Sequence, residues 1–366
     1  MNARERFAAI MHGRPFDRLP LWPGEGITET ALRTWICRGE LPIGIAVGDV
    51  VAFDPLTQLR LDGDPLPAFV GRTIEEDAEW RTTIDRYGFT VRTSKTQSVG
   101  PTHYYYLAGP IAGREDWQRM KARFDPSDPR RLPRQWSPEY VEQLNASAAP
   151  VSLRIDWGPG RGIKNGYMLG MDRFLDVVTS EPALLEDMFE FWADFVIALA
   201  RPWVEAVRLD FVWLCEDGMA FRNSTMVGPE MYRRIWGPSV RKVTDFFRSA
   251  GVDLIGYNTS GNIGPLIGTL MDLGVNLLMP LEVAAGMDAR ALRREYGPEL
   301  RLIGNISRQS LMDGPEAVER EFREKVPALM AAGGYIPAVD DVVMPDMPYA
   351  SLTRYVELVR GFRPNG

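Results

Sequence analysis

The run VDLIGYNTSGN, residues 252–262, sets an apolar stretch, 252–255, directly before a polar turn and the apparent start of a helix. A short apolar run closed by turn residues reads as a buried strand. The closing residues here are Asn258, Thr259, Ser260 and Asn262, none of them a good acid, base or soft metal ligand. Seven further β-rich runs follow a similar plan, at 19–22, 49–53, 151–155, 210–214, 275–279, 300–303 and 334–336. Most lead into helical periodicity, and eight alternating units predict a (β/α)8 barrel.

The intervening segments fit that plan. Pro182 opens a helix whose Leu185, Met188, Phe189, Trp192 and Phe195 form an apolar stripe, which reads as core. Residues 228–251 begin on Gly-Pro and close on Gly251, the punctuation of a second helix. Residues 56–109 interrupt the alternation with period-two stretches around Gly88, predicting a small antiparallel meander inserted after strand 2. The Pro-rich segment 124–136 reads as a surface connection, with Arg130, Arg131 and Arg134 forming a solvated face.

Composition narrows the function. Of the 366 residues 45% are apolar and 25% charged, enough to bury a large core. A formal charge of −7 disfavours nucleic acid, whose phosphates demand clustered cations. The amino terminus lacks the apolar stretch of a signal peptide, and no run approaches the roughly 20 apolar residues of a membrane span, so the expected location is cytoplasmic. Only Cys37, Cys215, His12 and His103 supply a thiol or an imidazole, which disfavours both a disulfide framework and a structural zinc site.

Barrel enzymes carry their chemistry at the carboxyl ends of strands. Those positions hold Glu216, Asp217 and Asn223 after 210–214; Asn258, Ser260 and Asn262 after 252–255; Glu282 after 275–279; Asn305 after 300–303; and Asp340 and Asp341 after 334–336. Adjacent acids such as Glu216 and Asp217 could hold a cation or act as acid and base, and equally could cap helices or pair with arginines. Trp22, Trp157 and Tyr167 are candidates for an aromatic pocket wall, or are packed against loops.

The segments at 4–22, 215–235, 251–263, 281–297, 300–308 and 333–360 together resemble the uroporphyrinogen decarboxylase superfamily, which includes cobalamin-linked methyltransferases. The likeness covers nearly the whole chain, implying one domain, 1–366, with a distorted (β/α)8 TIM barrel. In the coenzyme M-type methyltransferases of this superfamily a His-x-Cys pair and a later Cys hold zinc; the matching positions here are Asn258, Ser260 and Asp341, poor zinc ligands as a set, so no zinc is expected. The decarboxylases grip substrate carboxylates with arginines after the first strand, where this chain has LWPGEGITET with Glu25 and Glu29.

The resemblance therefore implies a methyltransferase or demethylase acting on a small O- or N-methylated compound. The methyl carrier would be a corrinoid (cobalamin) on a separate partner protein, since the chain has no corrinoid-binding signature, or tetrahydrofolate. The expected catalytic residues are Glu216, Asp217 and Asp341; those expected to bind substrate are Trp22, Trp157, Tyr167, Asn223, Asn258, Ser260, Asn262, Glu282 and Asn305. The alternatives are a cofactor-independent decarboxylase or lyase, with Arg154, Lys164 or Arg222 holding a carboxylate, and a noncatalytic binding barrel. A homodimer is left open.

Overall fold

The computed structural model describes residues 1–22, 24–96 and 104–363, so that His103 lies outside the described residues. Among the described residues eleven strands form two sheets: β1 (Thr57–Arg60), β2 (Arg72–Glu76), β3 (Trp80–Ile84), β4 (Thr90–Ser94), β5 (Tyr104–Ala108), β6 (Val151–Asp156), β7 (Phe211–Cys215), β8 (Ile255–Asn258), β9 (Leu277–Met279), β10 (Arg301–Ile306) and β11 (Tyr335–Val339).

The main sheet is seven-stranded in the order β1-β6-β7-β8-β9-β10-β11, with every neighbouring pair parallel. Strands such as FVWLC and YIPAV are buried at every position, as expected where helices cover one side of a parallel sheet and side chains fill the other. The helix Pro182–Ala206 packs its apolar stripe inward: Leu185, Met188, Phe189, Trp192 and Phe195 are all buried. The remaining four strands, β2 to β5, form an antiparallel sheet in sequence order.

Two of the eight predicted strands are corrected. Residues 49–53 form no strand: Val47–Val50 is a short helix, and the ladder starts at Thr57, inside the stretch assigned to the insertion. Asp54 explains the delay. Its carboxylate accepts from the Arg18 guanidinium at 2.6 and 2.8 Å and from the Leu21 amide at 2.8 Å, pinning the chain just before Pro55.

Residues 19–22 occupy the eighth place without joining a ladder. The Leu21 carbonyl accepts from the Asp54 amide at 3.0 Å, and Pro20 has no N–H to give. On the other side the chain presses against β11, where a Cβ on Gly24 would lie 2.8 Å from the Val339 carbonyl oxygen. Among the described residues the sheet is thus curled and barrel-like, with seven hydrogen-bonded strands and a strapped seam.

A smaller correction concerns Arg131, which is buried. Its guanidinium donates to the carbonyls of Asp62, Asp64, Arg123 and Asp125 and lies over the Phe195 ring. Among the described residues, no helix is long and apolar enough to cross a membrane.

Candidate functional site

Side chains of a strand alternate between its two faces. On one face lie Gln58 of β1, Arg154 of β6, Trp213 and Cys215 of β7, Asn258 of β8 and Met279 of β9; with Trp22, Gly24, Glu25 and Leu56 they line a cavity of about 230 Å³. Gly256 lies beside Trp213 across the β7–β8 ladder, and a Cβ there would meet the indole ring at 2.2 Å. The missing side chain in GYNTSGN is what lets the indole lie over β8.

Three of the polar residues of the cavity, Glu25, Arg154 and Asn258, are oriented by hydrogen bonds. The Asn258 amide nitrogen donates to Glu25 Oε1 at 3.2 Å. Arg154 Nε donates to Asp156 Oδ1 at 3.2 Å, and the same carboxylate is met by Arg60 and, at 3.6 Å, by Arg161. Burial alone would raise the Asp156 carboxyl, but these guanidiniums outweigh it and hold it below its ordinary value. Burial pushes the Cys215 thiol up to about 12, against the pull of Arg154, so the sulfur stays protonated.

The other face holds a second polar group. Glu216 follows Cys215 and turns toward the helices, where it is fully buried. The hydroxyls of Tyr167 and Tyr257 donate to its two carboxylate oxygens, and Trp236 Nε1 donates to the Tyr167 hydroxyl at 2.9 Å. Phe174 and Phe189 pack edge-on against Tyr167. Burial pushes the Glu216 carboxyl up to about 8, although the tyrosines and Trp236 favour its charged form.

Of the expected site residues, Trp22 and Asn258 line the cavity. Glu216, Tyr167 and Trp157 are sealed in the core and do not reach it. Asp217 is exposed, 3.8 Å from Lys164, and Asn223 and Ser260 are exposed. Asp341 pairs with Arg308 at 2.6 Å. Glu282 accepts from the Gly261 amide at 2.8 Å, and Asn262 from Gly264 at 3.0 Å.

Asn305 is fully buried with φ of 64°, and its amide is spent on backbone: it accepts from Ala289 N and donates to the carbonyls of Leu281 and Met287. Asp340 likewise joins two loops, accepting from the amides of Val283 at 2.7 Å and Arg308 at 2.8 Å; burial pushes its carboxyl up to about 6. Asn305 and Asp340 tie strand-end loops together.

The residues missed are Glu25, Gln58, Leu56, Gly256, Trp213 and Met279, with Arg154 named only for the alternative reaction. Parity along 210–216 would have grouped Trp213 with Cys215 and set Glu216 on the opposite face.

As a metal site the positions Asn258, Ser260 and Asp341 do not fit, since one is an amide held by Glu25, one an exposed hydroxyl and one an acid paired with arginine. Among the described residues no three His, Cys, Asp or Glu side chains gather as ligands.

Residues 164–362, more than half of the chain, match the family model described as uroporphyrinogen decarboxylase (URO-D). The chain belongs to the uroporphyrinogen decarboxylase family. It is 29% identical over 228 residues to a uroporphyrinogen decarboxylase of Streptomyces coelicolor, covering 59% of this chain and 56% of that protein. It is 31% identical over 233 residues to one from Rhodococcus erythropolis, covering 59% and 58%. The chain thus spans a little over half the length of these relatives.

Among solved structures this family member is similar to a methyltransferase from Methanosarcina mazei, with a TM-score of 0.59 and 14% identity over 99% of both chains. That likeness establishes the shared barrel-like fold.

Proposed function

We propose that this protein is a methyltransferase that removes a methyl group from a small O- or N-methylated compound and passes it to an acceptor outside the cavity, a corrinoid on a partner protein or a folate. The observation that carries the reading is the cavity itself: about 230 Å³, walled by Trp22, Trp213, Leu56 and Met279 together with the polar side chains of Glu25, Gln58, Arg154 and Asn258. It is smaller than the roughly 300–1,000 Å³ of pockets that take drug-sized ligands, and so small for a tetrapyrrole. A corrin ring would not enter either, but Glu25 and Gln58 on the rim are exposed, which suits a carrier docked over the mouth.

Methyl transfer by displacement asks mainly for positioning and stabilisation of the leaving group. A reduced corrinoid, when docked at the mouth, would supply the nucleophile for the methyl group. The chain's part is to hold and orient the substrate beside the indoles, while the oxygen or nitrogen that keeps the bonding electrons takes any proton it needs from solvent at the mouth. Glu25, oriented by Asn258, is the carboxylate lining the cavity and orients the methylated group, in place of Glu216, Asp217 and Asp341.

A second reading, a decarboxylase or lyase on a small carboxylated substrate, is favoured by Arg154 in the cavity wall, while Lys164 and Arg222 are exposed. The two separate in one assay. The protein is mixed with reduced cobalamin and a panel of small methylated compounds, and both the visible spectrum and carbon dioxide release are followed. Formation of methylcobalamin that slows in Glu25→Gln supports methyl transfer; carbon dioxide release with no methylcobalamin overturns it.

A further inference from the structure

Two opposite charges, Arg154 and Glu25, stand in the wall of this small cavity with no hydrogen bond or ion pair joining them among the described residues. Arg154 gives its Nε to Asp156, but among the described residues its two terminal nitrogens have no hydrogen-bond partner. The Asp156 carboxylate is shared with Arg60 and Arg161, so this cluster of three cations and one anion keeps a net charge of +2. Glu25 bonds Asn258 and has no ion pair among the described residues, though its charge is felt by Arg154. The cavity wall also holds two indoles, Trp22 and Trp213, held nearly still by burial.

Each part has a matching ligand chemistry. A guanidinium anchored through Nε presents its terminal N–H pair as a fork for a carboxylate. Indole faces beside a carboxylate are a cage for a methylated ammonium, whose charge is spread over its methyl groups. Resting on the proposed methyl-transfer reading, we infer that the substrate is a small zwitterion, an N-methylated amino acid or betaine, with its carboxylate on Arg154 and its methylammonium against Trp22, Trp213 and Glu25. This selects N-methyl over O-methyl compounds. The size agrees: a cavity of about 230 Å³ lies below the roughly 300–1,000 Å³ of pockets for drug-sized ligands and suits a small molecule.

Isothermal titration without any methyl acceptor tests the inference, using glycine betaine, its uncharged-head isostere 3,3-dimethylbutyrate, and choline, which keeps the ammonium but lacks the carboxylate. Glycine betaine is expected to bind at least about tenfold more tightly than either. Arg154→Gln should bring betaine and choline together, and Glu25→Gln should bring betaine and 3,3-dimethylbutyrate together. Wild-type protein that binds the isostere or choline as well as betaine, or binds none of the three, overturns the inference without relying on any variant. Betaine that binds while no methylated compound yields methylcobalamin sinks methyl transfer and leaves the zwitterion site standing; turnover of an uncharged methyl ether by a protein that does not bind betaine does the reverse.

Discussion

Replacing Glu216 by Gln separates a buried structural acid from a catalytic one. The Glu216 carboxyl sits between Tyr167 and Tyr257, and burial pushes it from the ordinary 4.5 up to about 8. In the unfolded chain it ionises near its ordinary value, so its contribution to stability is fully present below about 4.5 and is lost as pH rises through about 8. At about 1.36 kcal/mol for each pH unit that displacement corresponds to roughly 5 kcal/mol, of which about 4 kcal/mol falls between pH 5 and pH 9.

Glutamine has the shape of the protonated acid and does not titrate. Glu216→Gln should therefore cost about 1 kcal/mol at pH 5 for altered hydrogen bonds, and be about 3 kcal/mol more stable than wild type at pH 9. Urea unfolding at several pH values, with equal m-values for both proteins, reads the difference. Asp340, also pushed up by burial, titrates in both proteins and cancels. A wild-type-minus-variant difference that stays flat within about 1 kcal/mol from pH 5 to pH 9 would refute the buried-acid argument.

Three further outcomes are expected. Gly256→Ala places a methyl 2.2 Å from the Trp213 ring, so it should cost about 1–3 kcal/mol in thermal or urea unfolding and weaken ligand binding; a neutral effect on both would mean the indole is free to move. Asn305→Ala strips partners from one buried amide and two buried carbonyls at a left-handed backbone position, and a loss of about 2–4 kcal/mol should appear in urea melts, whereas less than about 0.5 kcal/mol would show that water replaces the side chain. Asp217→Asn, at an exposed pair 3.8 Å from Lys164, should change stability by no more than about 0.5 kcal/mol and leave ligand affinity as it was; a large loss of turnover would return Asp217 to the chemistry.

How far the sequence could be read follows from what each feature depends on. Burial writes itself into hydropathy, so the runs at 151–155, 210–214, 252–255, 275–279, 300–303 and 334–336 all lead into or lie within parallel strands. Hydrogen-bond register is not written there: the 252–255 run becomes a ladder only from Ile255, which puts Asn258 on the strand itself and in the cavity wall. The apolar 49–53 run imitates a strand because nothing local reveals that Asp54 is claimed by Arg18 and Leu21.

The site was harder because it gathers distant residues. Glu25, Arg154 and Trp213 meet only through the curl of the sheet, and an acid such as Glu216 looks the same in sequence whether it faces guest or core. Asn305 illustrates a related ambiguity: an amide after a strand suggests ligand binding, yet Asn also tolerates positive φ and bonds well to nearby backbone, and here it does both.

The strapped seam has a bearing on how such a protein could change its diet. Trp22 touches the cavity from a segment held by Asp54 and by packing, not by a row of sheet hydrogen bonds. Exposed residues beside it, such as Glu25, can be swapped without unzipping the seven strands or opening the core around Trp22, so the same barrel can present a new rim to a new guest at little cost to its framework.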